Sequence, residues 1–211
     1  MKKIFSAVLF ALILSVQNFC GAATIESANF NGDERLVYPV VHTGDATVDK
    51  KINVAIIAEV DRFLTGVYHT ARSIDAKVAD VRTSYEVGCN EAGGTVILSL
   101  ILTESNYYEG AAHPATYRHA LNFNVQSGVL MDISYLTDVG SGNPNFSLDN
   151  VGRKLREHAE QNKIFLFDDA LPLKKLPENF YWDKNLHVHL IFQHYEVAPY
   201  AAGIIDVDMD A

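Results

Sequence analysis

Period-two alternation, repeated three times in succession, is the feature that most narrows what this chain can fold into. Val81, Thr83, Tyr85 and Val87 alternate with Arg82, Ser84 and Glu86. Val96, Leu98, Leu100 and Leu102 share one face of the segment Thr95 to Thr103, and Tyr117, His119, Leu121, Phe123 and Val125 share one face of the next. Side chains of a strand point to alternate faces, so each run predicts a strand with one buried side. Gly88-Cys89-Asn90-Glu91-Ala92-Gly93-Gly94 lies between the first two runs and reads as a turn, which makes them an antiparallel hairpin. Gln126-Ser127-Gly128 reads as the turn that closes the third.

Outside this block the period changes. Ile52, Ile56, Val60 and Phe63 repeat at helical spacing, and Val67, Ala71, Ile74 and Val78 resume it after Gly66. One kinked helix or two consecutive helices both satisfy that pattern. Asp45 or Thr47 caps its start, and Asp49 suits the positive end. Ser147 caps a second amphipathic helix with Leu148, Val151, Leu155 and Ala159 inward, and Asp132 to Leu136 reads as a single helical turn. Thr24 to Arg35 reads as an irregular lead-in to a short strand at Leu36 to His42. Near the end, Leu186, Val188, Leu190 and Phe192 mark a long strand running into a turn at Pro199, and Gly203 to Met209 predicts a last strand. Strands in runs, with helices apart from them, define an α+β class: a mostly antiparallel sheet with helices packed on one face.

The N-terminus predicts the compartment. Lys2-Lys3, the apolar run Ile4 to Val16 and the small residues Gly21-Ala22-Ala23 have the form of a secretory signal over residues 1–23, cut after Ala22 or Ala23. Residues 24–211 then form a single exported domain, periplasmic or extracellular, with no further apolar stretch of membrane-spanning length. Lys and Arg number 17 against 26 Asp and Glu, a formal charge of −9, which disfavours nucleic acid and favours cationic partners. Cys20 leaves with the signal, so Cys89 has no disulfide partner; it reads as an incidental loop thiol, or as a nucleophile if a base lies beside it.

Several polar groups are candidates for chemistry. His187 and His189 share a strand face and could begin a metal site, although zinc needs a third protein ligand. Pro114 forces His113 into an extended conformation after the small residues that follow Glu109. Glu196 could pair with His113 as acid and base, or as an ion pair locking two loops. Tyr195 and Tyr200 supply aromatic surface that suits a protein or a sugar partner. No nucleotide, serine-hydrolase or zinc-protease fingerprint occurs, so no cofactor or metal is assigned and a non-enzymatic role is expected.

Tyr38-Pro39-Val40-Val41, Tyr85-Glu86-Val87, Tyr108-Glu109-Gly110-Ala111-Ala112-His113-Pro114, Leu121-Asn122-Phe123, Pro177-Glu178-Asn179-Phe180 and Gln193-His194-Tyr195-Glu196-Val197-Ala198-Pro199-Tyr200-Ala201-Ala202-Gly203 together resemble the exocellular domain of the RsiV-like family. The likeness spans nearly all of residues 24–211 and departs at Ala111, where the family carries a second glycine. It implies an α+β domain of the kind found in an anti-sigma factor that senses lysozyme by binding it, and beside deacetylase domains of peptidoglycan-modifying enzymes. Within residues 1–211, neither a sigma-binding segment nor a deacetylase region is expected. The expectation is therefore an exported binding domain of the cell envelope for a cationic protein such as lysozyme, or for peptidoglycan fragments. Its contacts would be Glu109, His113, Tyr195, Glu196 and Tyr200. The alternative is an envelope hydrolase using Glu196 and His113.

Overall fold

A computed structural model describes residues 22–90, 94–138 and 143–210. Most of the expected signal, and part of the turn after Cys89, lie outside those residues. The chain is α+β, as its periodicities predict, with every strand-to-strand pairing antiparallel inside three small sheets.

The first sheet pairs β1 (Thr24–Asn29) with β2 (Val37–His42), Ile25 facing Val41. The lead-in expected to be irregular is thus a strand. β1 buries little of its own surface, so it shows no apolar alternation, and the backbone ladder to β2 is what orders it. Just before it, Ala23 is buried, and the Asn90 side chain holds both its amide (3.0 Å) and its carbonyl (2.8 Å).

Helix α1 (Ala46–Ser73) is one continuous helix through Gly66, about 42 Å long at 1.5 Å per residue. Asp45 Oδ1 caps it by accepting from the Thr47 and Val48 amides at 2.8 and 3.2 Å. Val48, Ile52, Ile56, Val60, Phe63, Val67 and Ala71 form its buried stripe. They pack on the second sheet, β3 (Val78–Asn90), β4 (Ile97–Tyr108), β5 (Ala115–Asn124) and β6 (Val129–Met131), which are neighbours in that order. The sheet offers α1 its Leu98, Leu100, Leu102, Leu121 and Phe123 face, with Leu100 opposite Leu121 and Leu98 opposite Phe123. A fully buried leucine contributes about 1.5–3 kcal/mol, so this stripe is a principal source of stability. Cys89, expected in a turn, belongs to β3 and is buried in the core.

The opposite face of the sheet meets the third sheet, β7 (Asn179–Trp182), β8 (Val188–Phe192) and β9 (Ile205–Asp208). Helix α3 (Leu148–Asn162), capped by Ser147 as expected, covers this sheet with Val151 and Leu155, and α2 (Ser134–Asp138) closes the same core with Leu136. Each long helix therefore covers one face of its own sheet. Close approach between the sheets depends on Gly88, where a Cβ would lie 2.6 Å from the Trp182 carbonyl oxygen. Polar bridges fix the fit. Ser99 Oγ accepts from the Trp182 amide (3.0 Å) and bonds to Asn122 Oδ1 (2.7 Å), while Asn122 Nδ2 donates to the Phe180 carbonyl (2.7 Å).

The strand expected to run from Leu186 onward is shorter than its apolar pattern suggests. Leu186 sits in a turn at φ 66°, the strand spans Val188–Phe192, and Tyr195 at φ 64° belongs to the reversal that follows. Glu196 Oε2 accepts from the Gln193 amide (2.8 Å) and so closes that reversal.

Candidate functional site

Three of the five residues singled out from sequence converge. The loop after β4 carries His113, and the loop after β8 carries Tyr195 and Tyr200. His113 stacks on Tyr200 with ring centroids 3.7 Å apart, and His194 stacks on Tyr200 at 4.3 Å. Tyr195 Oη lies 3.3 Å from His113 Nε2, and Tyr200 Oη donates to the Pro114 carbonyl at 3.0 Å. The two loops are thereby joined into one aromatic platform, from which Tyr195 projects with 57 % of its surface exposed.

The two carboxylates do not join it. Glu109 binds Lys77 Nζ at 2.5 Å, and Glu196 is engaged with the Gln193 amide. No hydrogen bond or ion pair links Glu196 to His113 among the described residues, so neither the acid–base pair nor the interloop ion pair that the sequence allowed is formed there. The geometric reason is local: once the reversal after Phe192 forms, the shortest satisfied position for the Glu196 carboxylate is its own turn.

Among the described residues, the group of three donors close enough to hold a metal does not include His187 or His189, and each of these histidines engages an aspartate instead. His187 Nδ1 bonds Asp208 Oδ2 (3.0 Å) and His189 Nδ1 bonds Asp206 Oδ1 (2.8 Å), across the β8–β9 ladder. Asp206 also accepts from Arg118 Nη1 and Tyr181 Oη, each at 2.9 Å. Burial pushes the Asp206 pKa up, but these donors outweigh it and hold the carboxyl below its ordinary range. His189 is displaced in the opposite sense: burial lowers it, and Asp206, together with the Asp208 and Asp183 charges, more than restores it.

A different cluster lies beneath α1, at residues that the sequence reading passed over. Glu104 continues the inward face of β4 beyond Leu98, Leu100 and Leu102, and His119 continues that of β5, opposite Leu102. Glu59 and Arg62 reach down from α1. Glu104 is fully buried and neither of its oxygens has a hydrogen-bond partner. His119 Nε2 lies 3.5 Å and Arg62 Nη2 3.8 Å from Glu104 Oε2, while His119 Nδ1 lies 3.5 Å from Glu59 Oε1. Arg62 also donates to both oxygens of Glu59 through its Nε and Nη2. Burial, then the neighbouring Glu59 charge, push the Glu104 carboxyl up to about 8, with Arg62 opposing. Burial lowers His119, which favours its neutral imidazole. Arg62, Glu104 and His119 of this cluster line an open cleft of about 380 Å³ whose walls include Phe63, Gly66, Tyr108 and Tyr117. Gly66 helps to keep that space: a residue that costs a helix interior about 1 kcal/mol stands where a side chain would extend over open room.

Residues 136–210 match the profile of DUF3298, a family described as proteins of unknown function. The fold is similar over nearly its whole length to a DUF3298 family protein from Pseudomonas aeruginosa PAO1. The two share 12 % identity at a TM-score of 0.54, covering 89 % of this chain and 88 % of that one. No curated protein sequence matches this chain. The DUF3298 match holds α3, the third sheet, Tyr195 and Tyr200, whereas Glu59, Glu104 and His119 lie before it. No helix among the described residues is long and apolar enough to cross a membrane.

Proposed function

We propose that this chain is an exported, non-enzymatic binding domain of the cell envelope, akin to the RsiV-like exocellular modules. It recognises a cationic protein such as lysozyme, or peptidoglycan fragments, through the platform of His113, Tyr195 and Tyr200. The observation that carries this reading is the stack itself. Two loops some 80 residues apart in sequence are bound ring to ring, and an exposed tyrosine stands beside them. Rigid aromatic groups bury large areas at little entropic cost, which is why they recur as interface anchors and as surfaces for sugars. A formal charge of −9 speeds encounter with a cationic partner. The basic and apolar N-terminal run supports export. A hydrolase built on Glu196 and His113 lacks comparable support, because Glu196 is engaged in its own turn.

Isothermal titration with lysozyme and, separately, with soluble muropeptides tests the proposal. One of the two should bind at micromolar protein, and Tyr200→Ala should weaken that binding about 30-fold, as expected for an interface anchor. The same substitution should leave the far-ultraviolet circular dichroism unchanged. Silence with both ligands, or binding indifferent to Tyr195→Ala and Tyr200→Ala, would refute it.

A further inference from the structure

We propose that Glu59, Glu104 and His119 form a binding site for a divalent first-row metal cation, zinc being the best fit, at the floor of the cleft between α1 and the β4–β5 face. One donor atom from each residue lies within 4.8 Å of the others, and the three come from three different elements. His119 Nε2 and Glu104 Oε2 are 3.5 Å apart. Two ligands on a tetrahedral zinc with bonds of about 2.1 Å stand about 3.4 Å from each other, so this pair already has the required spacing. A histidine with two carboxylates, leaving one position open toward a cleft, is also a donor set that zinc accepts.

The second observation is the state of Glu104. A carboxyl group with no accessible surface and no hydrogen bond to either oxygen is costly to bury, and a cation placed against it removes that cost. The fold already collects positive charge at this point. Arg62 Nη2 is bonded to Glu59, lies 3.4 Å from His119 Nε2 and lies 3.8 Å from Glu104 Oε2, so it touches all three donors. It makes no hydrogen bond to Glu104, and its side chain is 56 % exposed. Arg62 is therefore placed as a stand-in cation with room to swing into the cleft. Its departure frees Glu59 to supply the third donor. The cleft provides both the entry path and space for a water as fourth ligand. This site is separate from the aromatic platform and does not depend on what the platform binds.

Titrating Zn²⁺ into tag-free, chelator-stripped protein tests the assignment by calorimetry and by thermal unfolding. A single equivalent should bind, and Tm should rise with the logarithm of free zinc. Glu104→Gln, which keeps the side-chain shape, and His119→Ala should each abolish that rise and weaken binding at least about 100-fold, beyond the usual loss of an outer-shell partner. Arg62→Ala should bind zinc at least as tightly as the parent protein. Cobalt substitution should give a visible absorption band that disappears in His119→Ala. Three results overturn the proposal: no zinc uptake by either the parent protein or Arg62→Ala; uptake that survives both ligand substitutions; and uptake lost instead in His189→Ala.

Discussion

Arg118 and His119 are neighbours on β5, yet they enter opposite situations on the two faces of one sheet. Arg118 reaches toward the third sheet, into a cluster where Asp206 accepts from Arg118, Tyr181 and His189. His119 reaches beneath α1, toward a Glu104 that accepts from nothing. Both clusters mix carboxylate, imidazole and guanidinium around an acid that is largely withdrawn from water. The decisive difference is how many donors meet the acid. Three hydrogen bonds outweigh desolvation and hold Asp206 below its ordinary range, whereas the single Arg62 charge at 3.8 Å does not outweigh burial and the Glu59 charge, and Glu104 is driven upward. A satisfied acid locks sheets together; an unsatisfied one beside an open cleft is placed to receive a ligand.

That contrast breaks most sharply at Asp206. Asp206→Ala leaves Arg118, Tyr181 and His189 without their shared acceptor. It should cost about 3 kcal/mol, the low end for removing one partner of a buried pair, because 26 % of the Asp206 side chain remains exposed. Urea unfolding near neutral pH measures it, and a loss below about 1 kcal/mol would mean that the cluster does not lock the sheets.

Glu104 should behave in the reverse sense. Its folded value stands above the usual 4.5, so its contribution is complete below that pH and is lost as pH rises toward about 8. Measured at pH 9 in the presence of chelator, Glu104→Gln should therefore be more stable than the parent by about 2 kcal/mol and should flatten the slope between pH 5 and 8. An unchanged slope would show that the carboxylate is solvated.

The smallest expected effect lies with His189, whose folded value stands above 6.5. Its stabilisation is present below 6.5 and fades as pH climbs through the folded value. Asp206 adds the opposite edge: its value lies below 3.8, so its contribution holds above 3.8 and disappears on acidification. Nuclear magnetic resonance titration of His189 should show a raised midpoint that returns toward 6.5 in Asp206→Asn. A midpoint already at or below 6.5 in the parent would remove the pairing from the account.

Much of the fold was legible because it rests on local periodicity. Leu98, Leu100 and Leu102 face inward as their spacing predicts, Asp45 and Ser147 cap the helices expected of them, and Ile52 through Val67 lie on one stripe. β1 was illegible because backbone pairing, not burial, makes it a strand. At the platform, His113, Tyr195 and Tyr200 were legible as residue types, while the engagements of Glu109 with Lys77 and of Glu196 with its own turn were not. The cleft cluster did leave one trace: Glu104 keeps the inward parity of an apolar stripe, as does His119 on β5. That trace acquires meaning only with the register that sets Leu102 opposite His119 and Glu104 opposite Tyr117.

By itself, the sequence determined most of the strands and helices, β1 excepted, and which side of each turns inward, because those properties depend on neighbours a few residues away. Tertiary structure alone decided which charges meet. Residues 59 and 62 come to 104 and 119 only when α1 docks on the sheet, and 118 comes to 206 only when the third sheet closes on its far side. Coulombic and hydrogen-bond energies are settled over a few ångströms in space, and no spacing along the chain encodes those distances.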